Sequence, residues 1–511
     1  MSKISAYRRA YGQFFTPDRV VACCYALLAG RLPPNPRVAD PACGDGAFLR
    51  YAAAHGLASA HDLHGCDVDA ALVGELTGAG LSNVRCADGL DPASLPTVAF
   101  DLVVGNPPYG IAVVPRDGRP LASEARFLLR ALDLVRPSGH IALVLPSGVL
   151  ANERLRPLRA ELIERCALLA VVALPRAAFR HAGTNAACSL LLLRKAPAPA
   201  DHQVFFALAE DLADLAAIVG TFHDRRTKYQ EPPRGYPTEN REPREYPTRN
   251  KFFHSPFWLL QTTALAQRMD AHFWRPDFRQ ALEGMAVRHD LRPLGELVGR
   301  HGLIAGDHVR PSRGETKGAG LPYEYYQTRE FLPAGYNYAA IERCDERAHR
   351  RLARTAVRHG DILVSCAGVG GAGRGRVCLV THHPGPSCTG DVFILRAKQP
   401  NPIYLFLFLS SCAGRAQLLR LQNGVGTANL NADELLQVQV PLLPDAAQQA
   451  FVARYAPISA AHDATMAALV RGDAIGFARE QAGSVALLDA LRSDLEEIML
   501  GGAFVSDQGI G

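Results

Sequence analysis

Apolar residues fall along this chain in two distinct rhythms. Up to about residue 222, short continuous apolar runs alternate with stretches of helical period. RVADPACG (37–44) predicts a strand ending in a Gly-rich turn, and AFLRYAAAHG (47–56) a helix after it. DLHGCDVD (62–69) predicts a second strand with acidic residues at its end. FDLVVGNPPYG (100–110) is a third strand that enters a Pro-rich turn, and 125–146 reads as helix, turn and fourth strand. ALLAVVALP (167–175) and NAACSLLLLRK (185–195) supply two more. Near-continuous apolar strands alternating with helices predict a parallel sheet covered on both faces. Residues 1–222 are therefore expected to form a doubly wound α/β domain, with a ligand at the carboxyl ends of the strands.

The rhythm then changes. Residues 224–251 are Pro-rich and charged, with YPT at Tyr236 and again at Tyr246. Such a stretch cannot bury a core, so 223–284 is read as a linker and connecting segment. Between 285 and 445, short strand-like pieces (GDILVSC, RVCLV, DVFILR) are separated by Gly-rich turns and followed by the helical NPIYLFLFLSSCAGRAQLLRLQ. This predicts a separate α+β domain. A helical tail is expected over 446–511, where Ile475, Val485, Leu488, Leu491, Leu495, Ile498 and Met499 fall mostly at three- and four-residue steps and form one apolar face.

Composition narrows the class. The 511 residues suffice for two to four domains at roughly 100–200 residues each. No window approaches the ~18 consecutive apolar residues of a membrane span, and MSKISAYRRAYGQFFTP lacks the apolar core of a signal peptide. The formal net charge is only +5, with 55 Lys+Arg against 50 Asp+Glu, so charge alone identifies no partner. Only six of those basic residues are Lys; the Arg excess fits a GC-rich genome and is also compatible with a phosphate-binding surface. The 12 cysteines are scattered without a C-x2-C pair, which points to free thiols, a reducing cytoplasm and no metal.

Four motifs carry chemistry. DPACGDGAF (40–48) lies between a strand and a helix, and Gly44 and Gly46 would let the backbone approach a ligand closely. Asp67, at the end of the second strand, can accept hydrogen bonds from both hydroxyls of a ribose. Asp88, in CADGL, can accept from an exocyclic adenine amino group. In Asn106-Pro107-Pro108-Tyr109, two prolines fix the backbone and remove two N–H donors. The Asn106 side-chain oxygen and the Pro107 carbonyl can then accept both hydrogens of a planar amino group, and Tyr109 offers a ring for a flat substrate.

With these motifs in this order, residues 1–195 resemble the gamma class of amino-DNA methyltransferases. The resemblance implies a Rossmann-like class I methyltransferase sheet and S-adenosylmethionine as cofactor. GQFFTP (12–17) is similar to the N-terminal motif of that class, which implies that Thr16 contacts the methionine end. It further implies a cofactor site made by Thr16, Asp40, Ala42, Gly44, Gly46, Asp67, Asp88, Gly89 and Asn106. Asn106, Pro107, Pro108 and Tyr109 would be the catalytic tetrad, and Phe179 would join Tyr109 against the flipped base. The implied mechanism is direct in-line displacement by the amino nitrogen, with adenine N6 preferred and cytosine N4 the alternative. A protein-glutamine methyltransferase and a non-catalytic DNA-binding module are remote alternatives.

A second resemblance covers about 285–460. GDILVSCAG, the G-x-G-x-x-N-L loop at 424–430, the apolar strand before Pro441 and the following Gln448-Gln449 look like a target-recognition domain of a type I restriction specificity subunit. One such unit is present where those subunits carry two, so a bipartite recognition sequence would require a dimer. The implied partners are double-stranded DNA and a separate restriction endonuclease, with the protein a monomer or a dimer. No nuclease is expected ahead of the first motif, which begins by residue 12. The lone Glu315-Thr316-Lys317, distantly preceded by Pro276-Asp277, is read as coincidental.

Overall fold

The protein is described from a computed structural model. It covers residues 14–110, 112–113, 121–182, 186–228, 257–261, 265, 268–299, 301–366, 375–381, 387–397, 399–421 and 430–501. The chain divides into two compact units, the first running to Arg275 and the second from Pro276.

The first unit is built on one nine-stranded sheet. Its strands are β1 (Val38–Asp40), β2 (Leu63–Asp67), β3 (Asn83–Cys86), β4 (Phe100–Gly105), β5 (Val135–Pro146), β6 (Ala167–Ala173), β7 (Cys188–Arg194), β8 (Gln203–Leu208) and β9 (Phe257–Gln261), in the order β9-β8-β6-β7-β5-β4-β1-β2-β3. The period-two alternation of strand side chains divides the apolar runs between two cores. In β5, Ala142 and Val144 enter one core while Ile141, Leu143 and Leu145 enter the other. The first core is closed by α1 (Asp18–Leu27), α2 (Ala47–Ala54), α3 (Ala70–Gly78) and α6 (Asp214–Lys228), and the second by α4 (Ser123–Leu134) and α5 (Arg156–Arg165).

This is the expected α/β class, and every strand expected before residue 195 is present. The sheet is not purely parallel, however. β7 lies antiparallel between β5 and β6. The 3-10 segment Arg176–Ala182 leads from β6 toward β7, and no long crossover helix intervenes. Two strands, β8 and β9, were not foreseen. The expected connecting segment 223–284 is divided: α6 runs into it to Lys228, β9 pairs antiparallel with β8, and Pro276–Arg288 (α7) belongs to the second unit. Both YPT sequences lie outside the described residues.

The second unit is α+β. Strands β10 (Leu303–Ala305), β13 (Ile362–Ser365), β14 (Val377–Leu379) and β16 (Val392–Leu395) form an antiparallel sheet in the order β10-β16-β13-β14. A second sheet sets β11 (Tyr323–Tyr326) between β12 (Glu342–Cys344) and β15 (Ser387–Cys388). The expected single helical piece is two helices, α8 (Pro402–Ser410) and α9 (Cys412–Arg420), bent by 70°. Ser411 breaks them, its side chain capping the Gly414 amide. Among the described residues no single helix is long and apolar enough to cross a membrane. All but Leu430 of the loop 424–430 lies outside the described residues.

The helical tail is a pair, α10 (Asp445–Val470) and α11 (Ala474–Leu500), turning at Gly472, whose φ is +72°. It is part of the second unit: α11 packs on α7 and α8 as well as α10, and the buried Glu496 accepts a hydrogen bond from the Cys412 amide. The expected apolar face is narrower than its spacing suggested. Leu488, Leu491, Leu495 and Met499 are buried, whereas Ile475 and Ile498 are exposed. The carboxylate of Glu315 is buried and paired with Arg351, so this part of the Glu-x-Lys sequence serves the interior of the second unit.

Candidate active site

A cavity of about 330 Å³ opens across the carboxyl ends of four adjacent strands of the first unit. Each strand end delivers one polar side chain: Asp40 closes β1, Asp67 closes β2, Asp88 follows β3 and Asn106 follows β4. Sheet order β4-β1-β2-β3 therefore converts four motifs spread over 67 residues into one row. The sequence contains the motifs, but only strand pairing sets them side by side.

The loop after β1 is shaped by its glycines. Gly46 caps α2 in the left-handed region at φ +75°, and a Cβ there would come within 2.4 Å of Leu76 Cδ2. The Gly44 amide donates to Asp67 Oδ2 at 2.8 Å, and the Asp69 amide to Asp67 Oδ1 at 2.9 Å. A carboxylate offers about four lone-pair sites, so both Asp67 oxygens retain accepting capacity toward a ligand. Asp69 itself caps α3 through the Ala71 amide. Across the loop, Gly89 lies so close to the Pro41 carbonyl that a Cβ would sit 1.7 Å from it.

The Asn106-Pro107-Pro108-Tyr109 turn is tied to the N-terminal motif. Asn106 Nδ2 donates to the Phe14 carbonyl at 2.8 Å and to Thr16 Oγ1 at 3.0 Å. This orients the amide so that Oδ1 is its acceptor, and here it accepts a hydrogen bond from the Tyr109 hydroxyl. Among the described residues, none donates to the Pro107 carbonyl. The Tyr109 ring is buried and stacks on Phe14, with centroids 5.4 Å apart. Burial, then the neighbouring Cys188, pushes its phenol well above the usual tyrosine range, so it stays a hydroxyl.

Electrostatically the cavity is one-sided. Asp40, Asp45, Asp67 and Asp88 line it, and its described lining contains no Lys, Arg or His. Burial raises the Asp40 carboxyl to about 8, with the charges of Asp67 and Asp45 adding to that and the Ala42 amide opposing it. Asp45 is also raised, mainly by burial. Such a wall of carboxyl groups, with no basic side chain in its described lining, disfavours pyrophosphate. The volume lies within the roughly 300–1,000 Å³ typical of small-molecule sites.

Of the expected cofactor residues, Thr16, Asp40, Ala42, Gly44, Asp67, Asp88, Gly89 and Asn106 all line the cavity. Gly46 does not; it shapes the loop from beneath. Phe179 is not brought there either. It is fully buried in the first core, on the 3-10 segment that follows β6. In this structure it presents no face to a base. Gly12 and Gln13 of the N-terminal motif lie outside the described residues.

Several residues escaped the sequence reading. Phe14, Phe15, Phe48 and Phe127 give the cavity its apolar walls. Arg130, buried on α4, donates through Nε to the Gly89 carbonyl at 3.1 Å and through a terminal nitrogen to the Leu95 carbonyl at 2.9 Å. It thereby pins the loop bearing Asp88. A charged residue inside an apolar helical repeat was the available signal, but its carbonyl partners have no sequence signature.

Residues 2–217 match a family model described as N-6 DNA methylase. The chain is 33% identical over 134 residues to a defense against restriction protein B of Escherichia phage P1, spanning 25% of this chain and 6% of that protein. It is 35% identical over 111 residues to a type II methyltransferase of Thermus thermophilus, spanning 21% of this chain and 23% of the other. These curated relatives are thus matched over less than a quarter of their own length. A type I restriction-modification methyltransferase subunit from Streptococcus thermophilus superposes with a TM-score of 0.35 at 22% identity, over 42% of this chain and 53% of that one. The family match spans the motifs that converge on the cavity, so residues 2–217 are similar to the N-6 DNA methylase family.

Proposed function

We propose that the first unit transfers a methyl group from S-adenosylmethionine to the exocyclic amino group of a base flipped out of double-stranded DNA, with adenine N6 the preferred acceptor. The observation that carries this reading is the join between motifs. Asn106 is held by Phe14 and Thr16 at the edge of a cavity walled by four carboxyl groups.

S-adenosylmethionine, when bound, supplies a methyl group on a positively charged sulfur. The chain's own residues do the rest. Asp67 would accept from the ribose hydroxyls, Asp88 would accept from the adenine amino group, and Thr16 would bound the methionine end. Asn106 Oδ1 and the Pro107 carbonyl accept the two hydrogens of the target amino group, which aims its nitrogen lone pair. This is catalysis by positioning and fixed dipoles, without a covalent enzyme intermediate. Tyr109 must release Asn106 as the amine arrives, and its ring is then available to stack on the base. Phe179 would need to leave the core to take the same part.

The second unit is proposed to be the target-recognition domain, with 276–501 reading the DNA sequence. A separate restriction endonuclease and a cytoplasmic setting belong to the same proposal. Asn106→Ala tests its centre. Methyl transfer should fall by about 100-fold or more, while S-adenosylmethionine still binds. Retained turnover would sink the assignment. Nucleoside analysis of the methylated DNA separates N6-methyladenine from N4-methylcytosine.

A further inference from the structure

The Asn106-Pro107-Pro108-Tyr109 turn must hold two acceptors still, yet it has little of its own to hold it. The prolines remove two amide donors, and residues 107–110 make no backbone–backbone hydrogen bond among the described residues. The turn is fastened instead from the first residues of α4. Ser123 Oγ donates to the Pro108 carbonyl at 2.7 Å. Glu124 Oε2 accepts the Gly110 amide at 3.0 Å and lies 3.1 Å from Ser123 Oγ. Both side chains are buried, at 2% and 5% exposure, so water does not compete for these bonds.

We infer that Ser123 and Glu124 form a brace that positions the catalytic turn, so that the Asn106 and Pro107 oxygens stay aimed at the amino group. The two proline rings lock φ at 107 and 108, leaving the ψ angles as the soft dihedrals. Ser123 fixes ψ at Pro108 by holding its carbonyl, and Glu124 closes the far end of the turn at Gly110. Asn106, tied to Phe14 and Thr16, closes the near end. Glu124 does not line the cavity, so it acts through the turn and is a positioning residue. The inference rests on the methyl-transfer reading above and adds the residues that make its geometry reproducible.

The test uses the full chain, tritiated S-adenosylmethionine and a long unmethylated duplex of mixed sequence. Glu124→Ala should lower kcat by roughly 10- to 100-fold, since small misplacement of reacting groups costs that much. The Kd for S-adenosylmethionine should stay within about twofold. Glu124→Gln keeps an acceptor for the Gly110 amide and should recover most of the rate. Ser123→Ala should lower kcat in the same manner, which keeps the inference testable if Glu124→Ala does not fold. An active wild type with equally active Glu124→Ala and Ser123→Ala overturns the brace alone. So does a Gln variant as impaired as the Ala variant, or a loss that merely follows weakened cofactor binding. A wild type that methylates no DNA overturns both the brace and the reading beneath it.

Discussion

Asp40 shows how a single residue sets the character of the cavity. It ends β1, is 1% exposed and accepts the Ala42 amide at 3.1 Å. Its carboxyl is raised to about 8 by burial first and by neighbouring carboxylates second. An unfolded chain would ionise it near ~4. Between those values the folded state holds the extra proton, so this group's contribution to stability is greatest at low pH and is lost as pH rises toward about 8. Asp40→Asn removes that dependence while keeping an acceptor for Ala42. The melting temperature of the Asn variant, measured without cofactor, should therefore gain on wild type steadily from about pH 5 to pH 8. Parallel pH curves for the two proteins would refute a raised Asp40.

At the scale of elements, α4 emerges as the helix that organises the site. Its first turn bonds to the Pro108 carbonyl and the Gly110 amide, Phe127 lines the cavity, and Arg130 ties the loop 89–95 to the helix. Buried carbonyls that lose a charged donor cost about 1–3 kcal/mol each in desolvation. Arg130→Met is expected to lower stability by about 2 kcal/mol, measurable by urea unfolding. It should also weaken S-adenosylmethionine binding several-fold, because the loop bearing Asp88 and Gly89 loses its tie. Unchanged cofactor affinity in a destabilised variant would confine Arg130 to a structural role. In the second unit α11 plays a comparable part, with Glu496 bonded to the Cys412 amide and Arg492 to Ser410 Oγ at 3.0 Å.

Across the whole molecule, the division after Arg275 predicts where the chain can be cut. β9 pairs with β8 along five residues, and the Met269 amide bonds to the Leu150 carbonyl at 2.8 Å. A fragment ending at 275 should stay soluble and bind S-adenosylmethionine, whereas one ending at 255 loses the strand covering β8 and should aggregate. Equal behaviour of both fragments in solubility and calorimetry would show that β9 is dispensable. Without residues 276–511 the fragment should lose site-specific DNA binding if the second unit reads sequence.

Much of the first unit was legible in the chain. Continuous apolar runs such as Ile141–Leu145 can only satisfy two buried faces, and Gly44, Gly46 and the paired prolines constrain the backbone wherever they occur. These are local properties, fixed by steric and hydrophobic terms that act within a few residues. The motif residues that the structure gathers around one cavity were legible for the same reason.

Other features were decided only by tertiary contacts. β9 follows a charged, Pro-rich stretch, and nothing in FWLLQ announces β8 as its partner. Phe179 and Tyr109 are aromatic in sequence terms alike and both are buried in the first core, but Tyr109 also stacks on Phe14 and bonds to Asn106. Ile475 and Leu488 share an apolar character, yet only the second is buried. Ser123, Glu124 and Arg130 bond chiefly to backbone groups, which every residue carries and no sequence distinguishes. The sequence thus determined which chemistry could be assembled and on what kind of sheet. The three-dimensional structure decided which groups hold that chemistry in place, because burial and non-local hydrogen bonds exist only once the chain has closed on itself.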